Sequence, residues 1–422
     1  MKKVLFLITF VITLALPANC EVQKVSLDEA IEIALSQNLE LQAKRKDYEI
    51  YKQEVKIVNA LKNPQFQSNF LLGKVNTGNS SQFGLALPIE IAKRGVRKKS
   101  AEAKLKSVEN EIRLAEHNVK INVMEEYFNV LYMKSLLKIA NDREDIFKEM
   151  SDIAHSKPAT SLNYKIDILQ SDIKHKKLLV QLNAAKANLL RAQFDLNRAM
   201  DVEDDIILYD TMEKSLFGDV SILNIELPSY ETIEAIAFKY SYSIKIADSD
   251  IEKLSRDIKV EKHKVIPDVT IASGYAYQTA HQTGKEALPG AYIGVFADIP
   301  VLYTYRPEVK RATFIYEKAK MDKKSYENKL KLALKTNYND FIYTKENMEY
   351  YQDILDYSKE ILKMSTERYR RGETTLLGLM WNENAYQETM HEYLDMLNTY
   401  YSAYLSLMHN MGHDFILEDD II

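Results

Sequence analysis

Ser26-Leu27-Asp28-Glu29-Ala30-Ile31-Glu32-Ile33-Ala34-Leu35 returns 203 positions later as Ser229-Tyr230-Glu231-Thr232-Ile233-Glu234-Ala235-Ile236-Ala237-Phe238. In both copies a serine precedes an acidic first turn, the chemistry of a helix N-cap. The offset persists downstream. Asn63-Pro64-Gln65-Phe66 lines up with Ile266-Pro267-Asp268-Val269, so each proline ends its helix 38 residues after the serine. A self-similarity of this length sets the architecture before any local element is read.

Past each proline the period of apolar residues changes from helical to two. Phe66, Ser68, Phe70 and Leu72 alternate with Gln65, Gln67 and Asn69, while Val269, Ile271, Tyr275 and Tyr277 alternate with Thr270, Ala272 and Ala276. A turn follows, Gly78-Asn79-Ser80 in one copy and the longer His281–Gly290 in the other, and a second alternating run ends at Pro88 or Pro300. The expected strands cover about 64–73 and 81–89, then about 267–278 and 291–301, bounded by Pro64, Pro88, Pro267 and Pro300. Their length is that of a transmembrane β-strand, about 9–11 residues. A two-stranded soluble hairpin at the tip of a coiled coil is the other reading of the same pattern.

The rest of the chain lacks the residues that make turns. Only 12 Gly and 9 Pro occur in 422 residues, and positions 96–157, 159–217 and 308–371 contain neither. Leu105, Val108, Ile112, Ala115 and Val119 recur at alternating spacings of three and four, a coiled-coil seam. A helix of some 60 residues spans roughly 90 Å. Lys157-Pro158-Ala159-Thr160-Ser161-Leu162 matches Arg371-Gly372-Glu373-Thr374-Thr375-Leu376, so Pro158 and Gly372 mark tight turns. From there a second long helix runs back, about Thr160 to Met200 and Thr374 to Met411. The fold class is mainly α with β, as tandem helix–hairpin–long helix–long helix repeats. They cover 21–225 and 226–413, with an irregular join at 201–228 and an acidic tail at 414–422.

Met1-Lys2-Lys3 followed by the apolar run Val4–Leu16 reads as a signal peptide over 1–20, too short for a spanning helix. Cys20 is the sole cysteine. It is either a lipidation site or lost with the signal, and no disulfide can form within one chain. The net charge of −5, without a basic block, argues against a nucleic-acid partner. No phosphate loop, His-Glu-x-x-His, nucleophile elbow or Cys-x-x-Cys is present, so neither an enzyme nor a cofactor is expected. His409 and His413 beside Met408 and Met411 form a soft-ligand cluster, but Gly412 marks a helix end where histidine is favourable in any case. No metal site is therefore assigned. Tyr275, Tyr277 and Tyr292 suit an interfacial belt, whereas Tyr400, Tyr401 and Tyr404 suit packing between helices.

Geometry adds a requirement. Four strands cannot close a barrel, and an open edge in lipid leaves backbone groups unsatisfied. If the strands are membranous, several chains must share one barrel, and three chains supply twelve strands. Helices associating below such a barrel would form a conduit.

The repeat, the Ser26 opening, Asn63-Pro64 and the segment Glu367-Arg368-Tyr369-Arg370-Arg371-Gly372-Glu373-Thr374-Thr375-Leu376-Leu377 resemble the TolC family of outer-membrane efflux proteins across the mature chain. Leu87-Pro88-Ile89-Glu90-Ile91-Ala92-Lys93-Arg94-Gly95-Val96-Arg97 is similar to the strand-to-helix junction of the heavy-metal branch, with Ile91-Ala92 where that branch carries glycines. The resemblance implies a homotrimer with an α-helical periplasmic tunnel and a shared 12-stranded outer-membrane barrel. Its implied partners are outer-membrane lipid, a periplasmic membrane-fusion adaptor and an inner-membrane pump, commonly of the resistance-nodulation-division type. The implied place is the outer membrane of a Gram-negative bacterium, and the implied role a passive efflux duct for small molecules or metal ions. The outer-membrane component of type I protein secretion and a non-channel periplasmic coiled-coil scaffold are the alternatives. The family closes its periplasmic end with a tyrosine before the turn glycine and acids after it. Tyr369 matches the tyrosine; in the first copy Pro158 replaces the glycine, and of the two acid positions Tyr164 and Asp167 only Asp167 carries an acid. Gly378 and Trp381 stand where acids belong in the second. Tyr369 and Asp167 are the candidate gate residues.

Overall fold

The computed structural model describes residues 21–71, 80–156, 162–202, 207–217, 227–278 and 287–412. Cys20, Pro158 and His413 lie outside them, as does the side chain of Asp167, whose backbone is helical. In chain order the elements are β1 (Glu21–Val25), α1 (Leu27–Gln37), α2 (Leu39–Val58), β2 (Gln65–Leu71), β3 (Ser80–Ile89), α3 (Lys93–Ser156) and α4 (Leu162–Ala199). Then come β4 (Ile207–Thr211), α5 (Tyr230–Tyr240), α6 (Tyr242–His263), β5 (Val269–Gln278), β6 (Leu288–Ala297), α7 (Arg306–Arg370) and α8 (Leu376–Met411). The two longest helices have 64 and 65 residues, and their return partners 38 and 36.

The first helix of each repeat departs from the expected continuous run to the proline. It breaks at Asn38, and its counterpart breaks at Ser241, again 203 positions on. Both residues do two jobs. The Asn38 N–H closes α1 on the Ala34 carbonyl (2.9 Å) while its Oδ1 accepts from the Leu41 N–H (2.7 Å) to open α2. Ser241 closes α5 on Ala237 (2.9 Å) and accepts from Ile244 (3.5 Å). A short polar side chain can replace the intrahelical bond it interrupts, which is why the break falls on these residues. Against each break sits the left-handed residue that ends a return helix. Asp201 (φ 54°) presents its Oδ2 to the Leu39 N–H at 2.7 Å. Gly412 (φ 67°) lies so near the other break that a Cβ would come within 3.3 Å of the Ser241 Cα.

Within the join, the described residues 207–217 contain a strand that its sequence does not suggest. β4 pairs in parallel with β1, from Glu21↔Ile207 to Val25↔Thr211. Lys134 of α3 secures this pair, donating to the carbonyls of Thr211 (2.8 Å) and Glu213 (3.0 Å) and pairing with Asp210 (2.9 Å). Beneath it lies the main core, where α1, α3, α5, α7 and α8 meet. Tyr400, Tyr401 and Tyr404 are buried there, with Phe128 stacked on Tyr401 at 4.7 Å and Phe341 tilted on Tyr400 at 4.7 Å. A second core lies toward the helical turns, where Phe147, Met150, Leu178, Leu362, Tyr369 and Leu379 join α3, α4, α7 and α8.

Candidate functional site: the amphipathic sheet and the helical tip

The four remaining strands form one antiparallel sheet in the order β2-β3-β5-β6. The two repeats meet at its centre, β3 against β5, from Ser80↔Gln278 to Ile89↔Val269. β2 and β6 are its open edges. Ala297 ends β6 short of Pro300, and Pro289 is its second residue. Proline is tolerated there because the strand is an edge. Pro88 likewise lies inside β3, beyond the last β2 partner (Gln65↔Ala86). Pro64 precedes β2 directly and Pro267 precedes β5 by two residues.

Register sorts the side chains. Phe66 and Phe70 of β2 share a face with Phe83, Leu85 and Leu87 of β3, Ile271, Tyr275 and Tyr277 of β5, and Ile293 and Val295 of β6. All ten are exposed, Ile293 by 78%. Gln67, Asn69, Gln82, Thr270 and Gln278 line the opposite face among glycines and alanines, together with Leu288, Tyr292 and Phe296 of the edge strand β6, so Tyr292 does not share the face of Tyr275 and Tyr277. No residue of the four strands is charged, although 28% of the chain is. An open sheet with one continuous apolar face and one uncharged face that is polar or small across β2, β3 and β5 suits lipid on one side and water on the other. On the polar side Gly84 stands opposite Gly274, and a Cβ on Gly274 would fall 2.0 Å from the Phe83 carbonyl oxygen.

A charged knot ties this sheet to the helices. Glu90, directly after β3, accepts from both terminal guanidinium nitrogens of Arg97 and pairs with Lys62 at 3.1 Å. Asp268, just before β5, holds Lys93 at 3.1 Å and Lys62 at 3.7 Å. Burial pushes the Glu90 carboxyl up, but bonds and charge from Arg97 and Lys62 outweigh it and leave it below the ordinary carboxylate value. A depressed folded pKa means the knot stabilises above the unfolded pKa and is lost as pH falls through the folded one. Glu90→Gln should therefore lower the thermal midpoint near neutral pH and flatten its fall on acidification below about pH 4.5. Melting curves across that range would show it, and an unchanged acid limb would contradict the assignment.

At the other end, Gly372 (φ 79°) makes the predicted turn. Its N–H reaches the Tyr369 carbonyl (3.0 Å) and the Glu373 N–H the Arg368 carbonyl (2.8 Å), the double bond of a Schellman cap. Gly378 has a role the sequence did not disclose. Its N–H is the donor that caps Thr375 (3.2 Å), and a Cβ there would meet the Thr374 hydroxyl at 2.9 Å. Tyr369 is packed in the second core at 1% exposure. Trp381, by contrast, is 75% exposed and lines a groove of about 480 Å³ with Ile173, Leu377 and Met380. Above the tip, Arg143 of α3 donates to both carboxylate oxygens of Glu383 (2.8 and 3.3 Å) and to Asn384 (2.8 Å). The Glu383 side chain is wholly buried. Sequence reading missed this pair, because each partner alone looks like one more charge on a long helix. Among the described residues no group of three or more His, Cys, Asp or Glu could hold a metal ion.

No family model and no curated protein matches the sequence. Solved structures do match along nearly the whole chain. The outer-membrane channel OprN superposes with a TM-score of 0.75 at 14% identity, over 92% of this chain and 89% of that one. CusC, solved in a study of folding and transmembrane channel formation, gives 0.75 at 13% identity over 93% of each chain. The outer membrane protein VceC of Vibrio cholerae gives 0.71 at 12% identity over 92% of this chain and 96% of that one. From its first helix to its last, the chain has the fold of these outer-membrane channels, the architecture that the TolC-family resemblance implies.

Proposed function

We propose that this chain is one subunit of a trimeric outer-membrane duct, passive and not enzymatic, serving a tripartite efflux system. One observation carries the reading: an uncharged four-stranded sheet with an exposed apolar face and two unpaired edges, set on helices long enough to cross a periplasm. Lipid tolerates no open edge. Joining β6 of one copy to β2 of the next closes twelve strands in three copies and satisfies every edge at once. The two repeats, 21–225 and 226–413, each give one hairpin to the barrel and one helix pair to the tunnel. A periplasmic adaptor would meet the helical end, and an inner-membrane pump, of the resistance-nodulation-division type, would supply energy and select the cargo of small molecules or metal ions. The closed end is the tip at Gly372, braced by the core that holds Tyr369.

The test is direct. The full chain, expressed in a Gram-negative host, should fractionate with the outer membrane, run as a cross-linkable trimer and give steady ion conductance in planar bilayers. Recovery as a soluble periplasmic monomer would overturn the proposal.

A further inference from the structure

The ends of the helices nearest the sheet carry a charge opposite to that of the whole protein. The segments 56–64, 89–99, 259–268 and 297–311 hold thirteen Lys and Arg against five Asp and Glu, a net +8 in a chain of net −5. These segments are far apart in sequence, and the fold brings them together as one collar where β2, β3, β5 and β6 join α2, α3, α6 and α7. Four of the five acids are engaged: Glu90 with Arg97 and Lys62, Asp268 with Lys93, Glu261 with Lys264, and Glu308 with the Tyr303 hydroxyl. Lys99, Lys259, Lys262, Arg306, Lys310 and Arg311 are exposed and form no ion pair with any described residue.

Stability does not account for all of them. At the C-terminal ends of α2 and α6, cations are favoured by the helix dipole. At the starts of α3 and α7 they are disfavoured, yet the first turn of α3 has no acid at all, and in α7 Arg306, Lys310 and Arg311 stand against a single acid, Glu308, which the Tyr303 hydroxyl engages. Beside these last three the chain adds a second feature. The link from β6 to α7 is longer than that from β3 to α3 and contains Ile299-Pro300-Val301-Leu302-Tyr303. Leu302 is fully exposed, and Ile299 and Val301 are exposed by 70% and 76%. The segment continues the apolar face of β6, where Ile293 and Val295 point outward.

Apolar side chains followed at once by unpaired cations match one surface, the boundary between acyl chains and anionic headgroups. We propose that this collar binds anionic phospholipid of the leaflet facing the helices, with Ile299–Leu302 set among the acyl chains and Arg306, Lys310 and Arg311 on the headgroup phosphates. The inference rests on the channel reading, because the collar must lie at the rim of a membrane-inserted sheet. A neighbouring copy in the trimer fits the site less well: the collar has one free acid, Asp298, with which to answer six free cations.

The experiment uses the full trimer in nanodiscs of phosphatidylcholine mixed with phosphatidylglycerol, with retained lipid counted by native mass spectrometry at low and high salt. Wild type should retain phosphatidylglycerol selectively, and salt should remove the preference. Arg306→Gln/Lys310→Gln/Arg311→Gln should cut that preference by about five-fold per cation, with phosphatidylcholine retention unchanged. Bilayer conductance of both proteins keeps the questions apart, since conductance without lipid preference refutes the collar alone, and absent conductance refutes the duct. Equal retention by wild type and variant would overturn the proposal. So would loss of bound phosphatidylglycerol on adding inorganic phosphate at the ionic strength of a chloride control, which would show a site for a free anion.

Discussion

Gly274→Val is expected to leave no cross-linkable trimer in the membrane fraction. Intrinsic preference points the other way, since valine is favoured over glycine in strands by up to about 1 kcal/mol. Sterics decide the outcome. Gly274 faces Gly84 across the β3–β5 ladder, and even a bare Cβ there would lie 2.0 Å from the Phe83 carbonyl oxygen and 2.5 Å from the Gly84 Cα. Both obstacles are backbone, so no rotamer change relieves them. The strands must separate where the two repeats join, and a shared barrel would take that defect three times. Ordinary overpacking costs roughly 1–3 kcal/mol per site, and a backbone clash at a central ladder exceeds that range. Gly290→Ala is the matched control, because a Cβ there meets nothing within 4 Å. It should assemble as wild type does. A normal trimer yield from Gly274→Val would refute the observed register.

That glycine shows where sequence reading stops. Gly84 and Gly274 fall inside the expected strands 81–89 and 267–278, and alternation put Phe66 and Phe70, and Ile271, Tyr275 and Tyr277, on one face. The opposition of the two glycines depends on β3 pairing with β5, a contact between repeats that no local pattern records. The helix break at Asn38 was hidden for another reason: the residues on both sides keep the helical period, and only the cap geometry separates α1 from α2. The β1–β4 pair joins short segments 186 positions apart and is stabilised largely by what it covers. Gly372 was legible because a left-handed turn favours glycine almost regardless of context. Tyr369 was legible as a residue but not in its surroundings, since a motif cannot tell a packed ring from an exposed one. The basic collar was invisible for the plainest reason: its four segments are neighbours only at the ends of folded helices.

The second large effect concerns the buried pair of α3 and α8. Arg143→Ala would leave Glu383, with no exposed side-chain surface, facing no guanidinium. Breaking a buried pair from one side costs about 3–5 kcal/mol, most of it the penalty of an unanswered charge. Lys174 answers the charge only through space, since its hydrogen bond goes to Asn384 at 3.3 Å and none reaches Glu383. The loss should fall on the tip rather than on the main core. Faster amide exchange around Phe147, Leu379 and Met380 is the expected signature, with exchange around Tyr400 and Tyr404 unchanged. Acidity gives a second, signed readout. Burial already pushes the Glu383 carboxyl above its usual range, with Arg143 pulling it back. Without Arg143 the folded pKa rises further, so the penalty is present above that pKa and fades as pH falls through it. The variant should therefore regain tip protection in mild acid. Arg143→Ala/Glu383→Gln should regain it near neutral pH, because a neutral amide has no charge to desolvate. If the double variant is as unprotected as the single one, the buried charge is not what holds α3 to α8, and the apolar contacts of the second core must carry the tip alone.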